Sequence, residues 1–185
     1  MKKVILGAGI LVMFILCGLL IWRYYTKSVS PENSFVFEAD DLRISVFYNR
    51  PYKKGREIFG KLVPYGTTWR TGANEATVFK TNKDLYIDGK KLPLGEYSFW
   101  TVPNERSWQI VFNSSIPSWG IDVMNHGVAA RDPKSDILII EVPSMNSPKE
   151  FEQFTITVEK VDDMLELILA WDRTLVAIPI SISAQ

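Results

Sequence analysis

Cysteine and histidine are almost absent: the 185 residues carry one of each, Cys17 and His126. Cys17 lies inside an apolar run, so the rest of the chain has neither a disulfide nor a thiol nucleophile. A Ser-His-Asp arrangement must pass through His126 or not exist, and no Gly-x-Ser-x-Gly surrounds the nearby Ser114, Ser115 and Ser118. Asp122 and His126 stand four apart, but zinc takes three or four ligands, and a third would have to come from Asp132 or elsewhere. No metal and no cofactor is expected, and His126 reads as a solvated loop residue.

An excess of positive charge is missing too. The four charges before Glu32 are all basic (Lys2, Lys3, Arg23 and Lys27), which leaves the remainder with 17 Lys and Arg against 21 Asp and Glu, a net of −4. Nucleic acid is therefore not an expected partner. Helical periodicity is absent after Pro31, as are internal repeats and low-complexity tracts.

What the chain does have is one long apolar run. Residues 4–22 are 19 consecutive residues without a charge. At 1.5 Å per residue they make roughly 28 Å of helix, close to the ~30 Å hydrocarbon core of a bilayer. Trp22, Tyr24 and Tyr25 fall where an aromatic belt sits, with Arg23 and Lys27 closing that end. The competing reading is a cleavable signal peptide, but the small-x-small candidate Ser28-Val29-Ser30 precedes Pro31, a poor residue after a scissile bond. The expected organisation is a short cytoplasmic tail at 1–3, a transmembrane anchor at 4–22, a juxtamembrane linker at 23–33 and a domain at 34–185. Lys2 and Lys3 bias the amino terminus to the cytoplasm and place the domain outside it.

Period-two alternation fills that domain. Leu42, Ile44, Val46 and Tyr48 alternate with polar or outward residues, as do Trp108, Ile110 and Phe112, then Phe154, Ile156 and Val158, then Leu165, Leu167, Leu169 and Trp171. Asp88-Gly89, Pro103 to Arg106, Asp162-Asp163 and Asp172-Arg173 supply turns between them. Pro179 marks the last strand as an edge or a bulge. Nine or ten hairpin-linked strands imply an all-β fold: an antiparallel β-sandwich, immunoglobulin-like or jelly-roll-like, behind one N-terminal transmembrane helix, with a closed barrel as the nearest alternative.

Two stretches break the pattern. Residues 50–76 show neither period yet contain Tyr52, Ile58, Phe59, Leu62, Val63, Tyr65 and Trp69, too much apolar surface for a solvated linker. They are expected to pack as an ordered cap presenting Arg70, Asn74 and Glu75, with Lys53, Lys54 and Arg56 as a solvated turn. The second stretch, 114–134, holds Trp119, Gly120, Asp122, His126, Arg131 and Asp132. If both loops leave the same end, they enclose a pocket.

The richest chemistry is Trp69-Arg70-Thr71-Gly72-Ala73-Asn74-Glu75. Arg offers a fork for carboxylate or phosphate, Asn a donor and an acceptor, Glu a base and Trp a flat apolar face. The bland alternative is an internal brace in which Arg70 pairs with Glu75, Asn74 caps a turn and Trp69 plugs the core. Trp100, Trp108, Trp119 and Trp171 would suit a glycan platform, with Trp119 the one expected to be reachable.

Arg50-Pro51, Ile58-Phe59-Gly60, Leu62-Val63-Pro64-Tyr65-Gly66, Trp69 to Thr77, Asp88-Gly89-Lys90-Lys91-Leu92-Pro93, Gly95-Glu96-Tyr97-Ser98, Trp119-Gly120 and Leu169-Ala170-Trp171 resemble the bacterial family catalogued as domain of unknown function 2911, over residues 42–182. The resemblance implies a shared domain and carries no catalytic residues, because the family has none established. The loop 121–134 is longer than the family's usual link.

The expected ligand-binding residues are thus Trp69, Arg70, Asn74, Glu75 and Trp119. The expected function is a membrane-anchored binding module for a small polar ligand, a glycan or an envelope protein. The alternatives are a hydrolase using Glu75 as base and Arg70 as clamp, and a purely structural envelope protein. The anchor has a direct test: the chain should stay with membranes through an alkaline carbonate wash, and mass spectrometry should find a mature amino terminus at or near Met1. A terminus beyond Lys27 would refute it.

Overall fold

Pro31 divides the chain. The residues before it are apolar and uninterrupted by proline, and they form one helix, α1 (Lys2–Val29), which ends where a proline ring would crowd its last turn. The structure, a computed structural model, describes residues 2–161 and 164–183, so the expected Asp162-Asp163 turn lies outside the described residues. Residues Ile5–Val29 are long and apolar enough to cross a membrane, and their side chains from Ile5 to Tyr25 are exposed. The helix continues seven residues past Trp22, and the first strand starts at Glu32. The segment 23–33 is therefore helix and strand, not a linker, with only Ser30 and Pro31 between the two elements.

Beyond the helix the fold is antiparallel β, as the alternation requires. Its strands are β1 (Glu32–Ala39), β2 (Leu42–Asn49), β3 (Thr77–Thr81), β4 (Leu85–Ile87), β5 (Lys90–Leu92), β6 (Gly95–Pro103), β7 (Ser107–Asn113), the short pair β8 (Ile121–Asp122) and β9 (Val128–Ala129), and the long β10 (Asp136–Val161) and β11 (Met164–Ser181). Nine of them form one sheet in the order β1-β2-β3-β6-β7-β10-β11-β4-β5.

One continuous sheet becomes a sandwich because β10 and β11 bend. Residues from Asp136 to Pro143 of β10 pair with β7, whereas Ser144 onward pairs with β11. The register of that second pairing shifts around Phe151, opposite Asp172, whose φ is +55°. The Asp172-Arg173 signal is thus a bend inside β11 and not a turn between two strands, because a left-handed residue serves a bulge as well as a loop. Lys53, expected on a solvated turn, reaches this bend and bonds Asp172 Oδ1 at 2.6 Å and Glu150 Oε1 at 2.8 Å.

The two layers close on a single apolar core that includes Ile44, Phe79, Phe112, Phe154, Leu169 and Ile178. Past its junction with β7 the outer edge of β10 would be bare, and bare edges recruit foreign strands. Residues 50–53 cover it: Pro51 accepts the Phe154 N–H at 3.0 Å and Glu152 accepts the Lys53 N–H at 2.6 Å. Tyr48, fully buried on β2, finishes the cover. Its hydroxyl accepts the Ile156 N–H at 2.9 Å and donates to the Ile156 carbonyl at 3.2 Å.

Tyr48→Phe strands both backbone groups of Ile156 in an apolar interior and should cost about 1 to 3 kcal/mol. Urea unfolding checks it, and an unchanged midpoint would show that the hydroxyl does not hold the layers together.

Candidate functional site

Residues 50–76 are an ordered cap, held by short pieces of ladder at either end and by aromatic packing between. After leaving the β10 edge the chain turns at Ile58 to Val63, where the Val63 N–H meets the Ile58 carbonyl at 2.9 Å. It then rejoins the sheet beside β6, beyond the end of β3: Trp69 and Thr101 exchange both backbone hydrogen bonds, at 2.7 and 3.1 Å. Trp69 thereby enters a cluster of Phe59, Trp108, Phe154 and Trp171, and stacks on Trp171 with ring centroids 5.8 Å apart and planes 17° off parallel.

Immediately after Trp69 the backbone coils tightly, with Thr71, Gly72 and Asn74 at φ of +51°, +154° and +58°. Position 72 has to be glycine: a Cβ there would stand 2.9 Å from the Asn49 carbonyl oxygen. The buried Thr77 hydroxyl ties the coil by donating to the Thr71 carbonyl at 2.7 Å. The result sends neighbouring side chains to different places.

Arg70 and Glu75 do not meet. Glu75 faces α1, where Oε2 receives Lys27 Nζ at 2.6 Å and Asn49 Nδ2 at 3.0 Å. The same ammonium reaches Glu32 and Asn49. Asn74 turns the same way, its Nδ2 donating at 3.4 and 3.5 Å to the carbonyls of Thr26, which also accepts the Ser30 N–H, and of Ser30 just past the helix C-terminus. The brace expected between Arg70 and Glu75 is replaced by a clamp on the helix, because a lysine 48 positions away in sequence supplies the nearer counter-charge.

The second long loop closes over the first. Gly120 N–H donates to the Asn74 carbonyl at 2.9 Å, and Arg131 donates from Nη1 to Thr68 Oγ1 at 3.5 Å while Nε and Nη2 grip the Asp136 carboxylate. Burial raises the Asp136 pKa, but Arg131 and Asn113 outweigh it and hold the carboxyl below the usual carboxylate range. Gly120 also has a steric reason to lack a side chain, since a Cβ would sit 2.3 Å from Arg70 Cδ and 2.8 Å from Arg70 Cβ. The Arg70 stem lies across the Gly120 backbone, so the Trp69-Arg70 and Trp119-Gly120 motifs build one place.

That place is a cleft of about 540 Å³ between the two loops and the end of α1. Trp69, Arg70, Asn74, His126 and Trp171 line it, together with Val29 and Ser30 of the helix end and several apolar residues of both loops. Among the described residues no Asp or Glu lines it, while Arg56 and Arg70 do. Arg70 forms no hydrogen bond or ion pair with any described residue, and its buried Nε is one of two buried side-chain nitrogens left without a partner. The other is Nε1 of Trp171, a residue that also lines the cleft. Desolvation holds the Arg70 guanidinium below its ordinary pKa.

Of the five expected binding residues, then, Trp69, Arg70 and Asn74 line the cleft, while Glu75 and Trp119 face α1. Trp119 packs its ring 5.5 Å from that of Trp22. Trp100, Trp108 and Trp171 are buried, which leaves no glycan platform among them. Asp122 and His126 lie in the β8–β9 hairpin and not on a helix, and no three metal-ligating side chains converge among the described residues. Trp171 and Lys27 are the participants the sequence reading missed. Trp171 looked like an ordinary core residue, and Lys27 like the flank of the apolar run.

The geometry defines a class: an all-β sandwich behind a single apolar helix, with a cationic cleft at the end where the two meet. The chain belongs to the family described as "Protein of unknown function (DUF2911)", whose model matches residues 30–180. No curated protein and no solved structure matches it.

The clamp makes a pH prediction. Burial pushes the Glu75 pKa up, but Lys27, the Glu75 backbone N–H and Asn49 together push it down further, to below its ordinary 4.5. A depressed carboxylate pKa gives stability that is complete above the ordinary value and lost as the pH falls through the folded one. Glu75→Gln should cost about 1 to 2 kcal/mol at pH 7, and the gap to the parent protein should close as the pH falls below 4.5. Thermal unfolding of both proteins across that range measures it, and a gap independent of pH would refute the clamp.

Proposed function

We propose that this chain is a membrane-anchored, extracytoplasmic binding module that holds an anionic group of a small ligand in the cleft between its two long loops. The observation that carries the reading is the pair of buried donors without acceptors, Arg70 Nε and Trp171 Nε1, in a cleft lined by no carboxylate. A buried guanidinium is normally answered by a carboxylate, and a buried indole N–H by an acceptor. A ligand carboxylate or phosphate in the cleft would supply the missing counter-charge to Arg70, with the apolar walls holding the body that bears it.

The anchored placement is supported by the length and hydropathy of Ile5–Val29, and the extracytoplasmic side by Lys2 and Lys3 before it. At 1.5 Å per residue the helix runs roughly 10 Å beyond Trp22 to Val29, which sets the cleft just above the headgroup layer. A hydrolase built on Glu75 has less support. That carboxylate is engaged by Lys27 and Asn49 and does not line the cleft.

Arg70→Met separates binding from support. Replacing a half-buried cation that has no counter-charge with an apolar chain of similar length should leave stability unchanged or raise it by up to about 1 kcal/mol. The same change should abolish the thermal stabilisation of the parent protein by a small dicarboxylate or by inorganic phosphate. That stabilisation reaches about 2.7 kcal/mol at a hundred times the dissociation constant. A large loss of stability in Arg70→Met would assign Arg70 a structural role instead.

A further inference from the structure

Trp119 leads into the part of the sandwich whose apolar side chains turn most strongly outward. The hairpin of β8 and β9 carries Val123 and Met124 at its tip, 72% and 94% exposed, and Met124 is the most exposed large apolar side chain among the described residues. Ile116 before the hairpin and Val128 within it are exposed as well. The tip is an ordered turn. Asp122 Oδ1 accepts the N–H groups of Met124 and Asn125 at 3.0 and 3.2 Å, and the Asp122 carbonyl accepts the Gly127 N–H at 2.9 Å. Internal hydrogen bonds fix the turn, which holds two apolar side chains away from the protein, an arrangement suited to a medium other than water.

The hairpin's position says which medium. The Trp119 ring meets that of Trp22 at 5.5 Å, and Trp22 ends the uncharged run of α1, where an aromatic residue sits at headgroup level. Five residues separate Trp119 from Met124, so the tip lies within roughly 17 Å of that level. Ile121, Gly127 and Val128 share the cleft with Val29 and Ser30, which sets the hairpin alongside the helix end.

We propose that the β8–β9 hairpin is a second membrane contact, with Val123 and Met124 entering the headgroup region of the bilayer that holds α1. The occupant is the lipid surface itself. The inference rests on the anchored reading of α1 and is independent of any ligand in the cleft.

The test uses the full chain in vesicles of phosphatidylcholine and phosphatidylglycerol, with Cys17→Ser removing the native thiol. Met124→Cys carries an environment-sensitive fluorophore. The comparison is Glu38→Cys near the far end of β1, six residues and roughly 20 Å from the start of that strand at Glu32. The expected result is a blue-shifted emission at position 124, quenched severalfold more strongly than at position 38 by lipids bearing a nitroxide high on the acyl chain. Equal quenching at the two positions overturns the inference. A blue shift without lipid quenching also overturns it, because it reports a second copy of the chain on the hairpin. Each variant is first washed with alkaline carbonate. Loss from the vesicles there defeats the anchored reading and this inference with it, whereas retention without quenching at position 124 defeats this inference alone.

Discussion

A sheet of nine strands folded onto itself at β10 and β11 leaves one length of β10 without a neighbour, and the cover over that edge decides where the cleft falls. Pro51 and Lys53 take up the backbone groups of Phe154 and Glu152, so the chain leaves β2 across the end of the sandwich instead of turning back into β3. It returns only at Trp69, beside Thr101 of β6. Everything between is cap. Had the edge been closed by a tenth strand, residues 54–68 would have no reason to lie over the aromatic cluster, and Arg70 would not stand over its rim.

The energetics of the cleft run against ordinary packing. Several other part-buried cations are answered by carboxylates: Arg131 by Asp136, Lys53 by Asp172 and Glu150, Lys27 by Glu75 and Glu32. Among the described residues, Arg70 is the arginine that combines a buried guanidinium nitrogen having no hydrogen-bond partner with no counter-charge, a state whose cost grows as water is excluded. Proteins tolerate such costs where a ligand relieves them. On the proposed reading of the cleft, the same residue would depress the stability of the empty domain and favour its occupation.

The alternating strands were legible in sequence because a half-buried strand writes its two faces as a period of two, and β2, β7 and the two arms of the β10–β11 hairpin do so. β1 was not, since Phe35, Val36 and Phe37 are consecutive apolar residues that blur the period, although Val36 points to solvent. The bend at Asp172 reads as a turn in sequence because a left-handed residue fits either. At the site, the Trp69 to Glu75 motif and the joining of the two loops could be anticipated from local composition. The direction each side chain takes could not, because it depends on Lys27, Asn49 and Trp171, which are distant in sequence. An unpartnered N–H is a property of the assembled interior and leaves no local trace in the residue order.

Only Ser30 and Pro31 separate α1 from β1, and Pro31 is itself conformationally fixed. A flexible tether of tens of residues would let a domain tumble freely and sample a hemisphere of solution above its anchor. A two-residue joint, gripped on either side by Lys27 and Glu32, allows no such excursion. For a chain seated in a bilayer, the opening of the cleft is then carried at fixed height and fixed attitude, and its encounters are weighted toward solutes that travel along the surface.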